Sequence, residues 1–211
     1  MYVAIEGVIG VGKTTLARLL HDPFQADLLL EVFEENPFLS DFYSDRSRYA
    51  FQTQIFFLLS RYRQQHSVIP QSQAAGRMLI SDYTFDKDSL FASINLSGDE
   101  LAVYNRVHEA LAEKIPQPDL VVYLTASTET LMRRIAHRNR SYERDMDRGY
   151  IEALNQAYED FFSQLKWGGR LLKIDTNNLN IISHPEDLHL ITNLIREALS
   201  MIPFQEGLPL S

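Results

Sequence analysis

The chain has 211 residues, 45% of them hydrophobic, a formal net charge of -8 and no cysteine. That length and composition suit one globular α/β domain with a substantial core. The acidic balance excludes a general nucleic-acid binder, whose affinity rests on a basic surface, and the lack of thiols excludes disulfides, thiol catalysis and thiolate metal sites. In chain order, Tyr2-Val3-Ala4-Ile5 predicts a first strand over about residues 2–6. Its early start leaves no room for a secretory signal, and the apolar run Ile55–Leu59 is too short to span a bilayer. A cytoplasmic protein without membrane or nucleic-acid partners is expected.

Gly7-Val8-Ile9-Gly10-Val11-Gly12-Lys13-Thr14 follows that strand, and Thr15-Leu16-Ala17-Arg18-Leu19-Leu20 carries apolar residues at helical spacing. Strand, glycine-rich turn and helix are the context of a phosphate-binding loop. Backbone N–H groups from Gly7 to Thr15 can converge on an anion at the helix N-terminus. Lys13 can reach β and γ phosphates, and the Thr14 hydroxyl can bind Mg²⁺. The helix, about 13–21, is predicted to break at Asp22-Pro23.

Leu28–Val32 reads as a buried second strand with Glu31 near its carboxyl end, the edge where open α/β sheets bind ligands. A short helix from Phe38 to Tyr43 precedes a long one from about Arg46 to Ser67. Gln54 and Arg61 are seven residues apart and share one face of it; spacing alone favours a solvated polar face. Met78–Asp82 is the third strand and also ends in a carboxylate, which could hold Mg²⁺ or cap the next helix. Residues 84–95 and 99–115 are predicted helical, and Asp119–Leu124 forms the fourth strand. The helix from about Thr128 carries Arg134 and Arg138 on one face, with Arg140 in the loop beyond. Such a cluster can clamp a transferring phosphoryl group or be an ordinary basic surface. A helix from Gly149 to Leu165, a fifth strand from Leu171 to Asp175, a last helix over 185–200 and a frayed tail from Pro203 to Ser211 complete the chain. Alternating strands and helices imply a doubly wound parallel sheet of five strands, helices on both faces.

Taken together, these motifs resemble the deoxynucleoside kinase family, bacterial deoxyadenosine and deoxyguanosine kinases in particular. The resemblance covers essentially the whole chain: Ile5 to Thr14, Glu31, Asn36-Pro37, Phe42-Tyr43, Arg48 to Gln54, Ser60-Arg61, and Arg134, Arg138, Arg140 with Glu143. It implies a P-loop kinase fold in a single domain, 1–211, with an arginine-rich lid at about 134–149. It implies transfer of the γ-phosphoryl of ATP to the 5′-OH of a deoxynucleoside, with purines favoured and a homodimer as the assembly. Glu31 would take the hydroxyl proton, while Lys13, Arg134, Arg138 and Arg140 would offset charge on the transferring group. Thr14 and Asp82 would hold Mg²⁺. Tyr43 and Glu143 would hold the sugar, Gln54, Arg61 and Asp88 the base, and Phe51 or Phe85 could stack on it. One position departs from the family. Asp82-Tyr83-Thr84 stands where it carries Asp or Glu, then Arg, then Ser, and Tyr83 cannot supply a permanent cation. A nucleoside monophosphate kinase, such as a thymidylate kinase, is the alternative enzyme, but its acceptor phosphate needs cations that this position lacks. A non-catalytic nucleotide-binding switch is the alternative of another class, and it has no use for a base-reading glutamine.

Overall fold

The computed structural model describes residues 1–144, 146–164 and 170–201. Strands β1 (Tyr2–Glu6), β2 (Asp27–Leu29), β3 (Leu79–Ser81), β4 (Leu120–Thr125) and β5 (Arg170–Asp175) pair in parallel in the order β2-β3-β1-β4-β5. The central β1 is wholly buried, as expected of a strand covered on both faces, and its register sets Val3 against Ile80 on one side and Leu120 on the other. Helices α1 (Lys13–Phe24) and α8 (Pro185–Ala198) lie on one face. The other carries α3 (Arg46–Ala74), α4 (Lys87–Asn95), α5 (Gly98–Ala112) and α7 (Arg148–Gln164), with α2 (Leu39–Ser44) packed on α3. Helix α6 (Thr128–Arg138) packs on α7. Among the described residues, no helix is long and apolar enough to cross a membrane.

Several boundaries differ from the sequence expectation, each for a tertiary reason. Pro23 lies inside α1 rather than ending it; so late in the helix its missing N–H removes a single bond, and the chain turns at Gln25, φ 48°. Pro70 is likewise accommodated near the end of α3, which continues past Ser67 to Ala74. Strand β2 stops at Leu29 because its partner β3 stops at Ser81. Beyond it the Glu31 N–H is taken by the Asp82 carboxylate at 2.8 Å, so Glu31 lies two residues past the strand. Residues 84–86 precede α4 instead of joining it, since Glu6 holds the Thr84 N–H and hydroxyl at 2.6 and 3.0 Å. The predicted tail 203–211 and the predicted end of α7 at Leu165 lie outside the described residues.

The turn after β1 is fixed by close approach. A Cβ on Gly7, φ +144°, would lie 2.4 Å from the Leu124 carbonyl oxygen, and one on Gly10, φ +88°, would meet Ile135 of α6 at 2.8 Å. Gly76 shares a positive φ of +65° but faces open space. Thermal melts should separate the two effects. Gly7→Ala is expected to cost about 3 kcal/mol and lower the melting temperature by roughly 6–12 °C, whereas Gly76→Ala should cost about 1 kcal/mol and lower it by roughly 2–4 °C. Equal shifts would contradict the packing account of Gly7.

Candidate active site

A cavity of about 680 Å³ opens at the carboxyl edge of the sheet, beside the turn that follows β1. One end is lined by Ile9, Gly10 and Gly12 to Thr15. Gly12 takes φ 107° immediately before α1, so the helix begins at Lys13 with its first N–H groups free for an anion. Lys13 Nζ curls back over the turn and donates to the Gly7 and Val8 carbonyls at 2.6 and 3.2 Å. Burial, followed by the nearby Lys87 charge, lowers its pKa to about 8. The Thr14 hydroxyl donates to Asp82 Oδ2, while Asp82 Oδ1 accepts the Glu31 N–H. One carboxylate thus sets the phosphate end and Glu31 in fixed relation, although Asp82 itself does not line the cavity.

Glu31 stands between the two ends. Its Oε1 accepts from Arg61 Nε at 3.1 Å and again from Arg61 Nη2, and its Oε2 accepts from Lys87 Nζ at 2.6 Å. Burial would raise its pKa, but Arg61 and then Lys87 outweigh burial and hold the carboxyl well below the usual range. The remaining Arg61 bond goes to Asp88 Oδ1, and the guanidinium lies 4.5 Å from the Phe57 ring centroid.

Gln54 and Arg61 both line the cavity and are both buried, so the shared face of α3 points into the site and not to solvent. Gln54 Oε1 is buried without a hydrogen-bond partner among the described residues. Tyr43 lines the same end, its ring stacked on Tyr142 with centroids 6.0 Å apart and planes 17° apart. Asn139 ends α6 in the left-handed region, and the 3₁₀ turn Ser141–Glu143 brings Glu143 back against the helix. There Glu143 accepts from Arg138 Nε at 2.6 Å and from Arg138 Nη2, with Arg140 Nη1 at 3.8 Å. Arg140 also rests 3.9 Å above the Phe33 ring.

Besides Asp82 and the turn residues Gly7, Val8 and Val11, two further expected site residues do not line the cavity. Asp88 is fully buried behind Arg61 as its counter-ion and does not line the cavity. Arg134 spends its guanidinium on the Val11 carbonyl at 3.2 Å, Thr176 Oγ1 at 2.9 Å, and the Thr176 and Leu179 carbonyls at 2.6 and 3.4 Å. It fastens α6 to the phosphate turn and to the turn after β5. Of the aromatics, Phe85 stacks on His108 away from the cavity, 4.9 Å between centroids, and the cavity is lined by Phe57 and Phe91 instead of Phe51. Sequence reading missed Lys87 and Phe33. Lys87 did carry a signal: a lysine opening a helix between Phe85 and Phe91 is a local conflict, because the helix dipole disfavours a cation there.

The arrangement joins an anion cradle to a nucleoside-sized pocket across one carboxylate. Among the described residues no three His, Asp or Glu side chains cluster as a metal cage. The Thr14 hydroxyl and one Asp82 oxygen are nevertheless a hard-oxygen pair of the kind Mg²⁺ uses together with substrate phosphates.

Comparison with known proteins agrees with this geometry. The sequence pattern of the family described as deoxynucleoside kinase matches residues 3–200. A deoxyguanosine kinase of Bacillus subtilis is 33% identical over 199 residues, 93% of this chain and 96% of its own length. A deoxyadenosine kinase of Dictyostelium discoideum is 34% identical over 192 residues, 89% of this chain and 76% of its own. Among solved structures, a deoxyadenosine kinase from M. mycoides with the products dCMP and a flexible dCDP bound superposes with a TM-score of 0.81 at 27% identity, covering 93% of this chain and 99% of that one. With its motifs, sheet order and relatives in agreement, the chain belongs to the deoxynucleoside kinase family.

Proposed function

We propose that this kinase transfers the γ-phosphoryl group of ATP to the 5′-OH of a purine deoxynucleoside, with Mg²⁺, as a nucleotide-salvage enzyme. The observation that carries the reading is the placement of Glu31 between the Lys13–Thr14 cradle and the Gln54–Tyr43–Glu143 pocket in one cavity. Gln54 presents an unpartnered amide oxygen beside its amide N–H₂, a donor and acceptor pair that can match a purine edge. The names of the two relatives support purines over pyrimidines.

The chain's own groups divide the work. Gln54 orients the base, and Tyr43 and Glu143 hold the sugar. Glu31, held ionised by its two cations, orients the 5′-hydroxyl and accepts its proton as the bond to phosphorus forms. Lys13 exchanges its carbonyl partners for β- and γ-phosphate oxygens. Arg138 at the end of α6 and Arg140 just beyond it line the cavity and offset charge on the transferring group, while Arg134 fixes α6 to the phosphate turn. Thr14 and Asp82 would hold Mg²⁺, which supplies further charge neutralisation at the phosphates when bound.

The family match over residues 3–200 and the continuous sheet support a single catalytic domain, and the cysteine-free composition supports a cytoplasmic location. Exposed Leu59 on α3 and Val103 on α5, on packed neighbouring helices, support a homodimer.

A panel of deoxynucleosides and their monophosphates under ATP and Mg²⁺ should show deoxyadenosine or deoxyguanosine phosphorylated fastest and monophosphates untouched. Glu31→Gln should lower kcat on the best substrate about 100-fold or more. Turnover of thymidine monophosphate in preference to any nucleoside would reverse the assignment. Because burial lowers the Lys13 pKa to about 8, triphosphate binding should draw a proton onto it above that pH. The KM for ATP is then expected to rise up to about tenfold per pH unit above pH 8 and to stay flat below pH 7, as measured in initial-rate assays. Sedimentation at working concentration should give twice the chain mass of 24.3 kDa; a persistent monomer would exclude the dimer.

A further inference from the structure

Lys87 occupies a place that opposes a cation in three ways. Its side chain is only 6% exposed. It is the first residue of α4, where the helix dipole presents its positive end. It lies close enough to Lys13 that the two ammonium groups repel. Its one carboxylate partner, Glu31, is already served by two Arg61 N–H groups. Arg61 is shared between Glu31 and Asp88, so Lys87 balances the second carboxylate, and it does so with ammonium donors left for further work. Glu31 takes one of three ammonium donors, and the residue lines the cavity together with Lys13 and Glu31.

Tyr83 occupies the position where the family resemblance predicts arginine. It is fully buried, donates its hydroxyl to Gln64 Oε1 at 2.7 Å and does not line the cavity. No cation reaches the site from the end of β3. We propose that Lys87 supplies, from the first turn of α4, the cation that meets the acceptor hydroxyl and the transferring phosphoryl group. The proposal rests on the kinase reading above. In the step, the bond from the 5′-oxygen to phosphorus forms as the bond from phosphorus to the β–γ bridging oxygen breaks. The hydroxyl proton passes to Glu31, and the departing electron pair stays on the nucleoside diphosphate. Lys87 acts as a point charge and N–H donor to the 5′-oxygen and a phosphoryl oxygen, while Arg61 remains locked between Glu31 and Asp88.

The cysteine-free sequence makes the test selective. Lys87→Cys introduces a single thiol, which 2-bromoethylamine extends to an ammonium of lysine length and iodoacetamide to a neutral amide. The variant is expected to lose about 100-fold or more in kcat with KM for the deoxynucleoside changed less than about threefold, and aminoethylation should recover at least about tenfold while carbamidomethylation recovers nothing. A kcat within about threefold of the parent, or equal recovery with both reagents, overturns the role of Lys87 and leaves the kinase reading intact, since the parent still turns over. A parent protein inactive on every deoxynucleoside sinks both. If circular dichroism shows the cysteine variant unfolded, Lys87→Arg is compared with Lys87→Gln. A kcat at least about tenfold higher for the arginine variant supports the proposal, and equal values overturn it.

Discussion

Charge balance in a nearly dry site governs this structure. Glu31, Asp88, Arg61 and Lys87 form two carboxylates and two cations with almost no access to water. Removing one member of such a set leaves an uncompensated buried charge, a loss of about 3–5 kcal/mol. The members come from three segments far apart in sequence: the chain beyond β2, the middle of α3 and the start of α4. The cluster therefore holds the second strand and two helices in mutual register while it keeps Glu31 ionised. Stability and chemistry draw on the same four side chains.

A second buried glutamate shows how differently a carboxylate can be kept. Glu6 ends β1 and accepts from the Gly7 N–H at 3.1 Å, from both donors of Thr84, and from the Tyr158 hydroxyl at 3.2 Å. All its partners are neutral. They are spread over the phosphate turn, the chain after β3 and α7, so Glu6 works as a junction of backbone segments. Glu31 has cations for partners and an opening to the cavity. Residue type is the same, and the surroundings set the two apart: Glu31 faces the cavity between cations, and Glu6 ties backbone segments together.

Much of this was legible in the sequence because it is local. The phosphate turn is a run of glycines whose conformations Gly7 and Gly10 require, and the central strands are apolar runs bounded by polar turns. The shared face of Gln54 and Arg61 follows from helical spacing. What spacing could not convey is who answers whom across the fold. Asp88 meets a guanidinium 27 residues away, Lys87 a carboxylate 56 residues away, and Arg134 a carbonyl 123 residues away. Asp88 and Arg134 have the residue types of ligand contacts and are spent within the protein. Lys87 stands between Asp86 and Asp88 in the sequence, yet it is buried and pairs with neither. The early end of β2 had no local signal, because the competing acceptor is the side chain of Asp82.

The fastening of Arg134 also has a mechanical meaning. Its four bonds tie the middle of α6 to the phosphate turn and to the turn that follows β5, so that helix is a fixed post and not part of a swinging arm. Beyond that post the helix ends at Asn139, and Arg140, Tyr142 and Glu143 follow on one short turn, held back against α6 by the bonds of Arg138 to Glu143. The wall that this turn gives the cavity is therefore referred, through α6 and Arg134, to the phosphate turn itself.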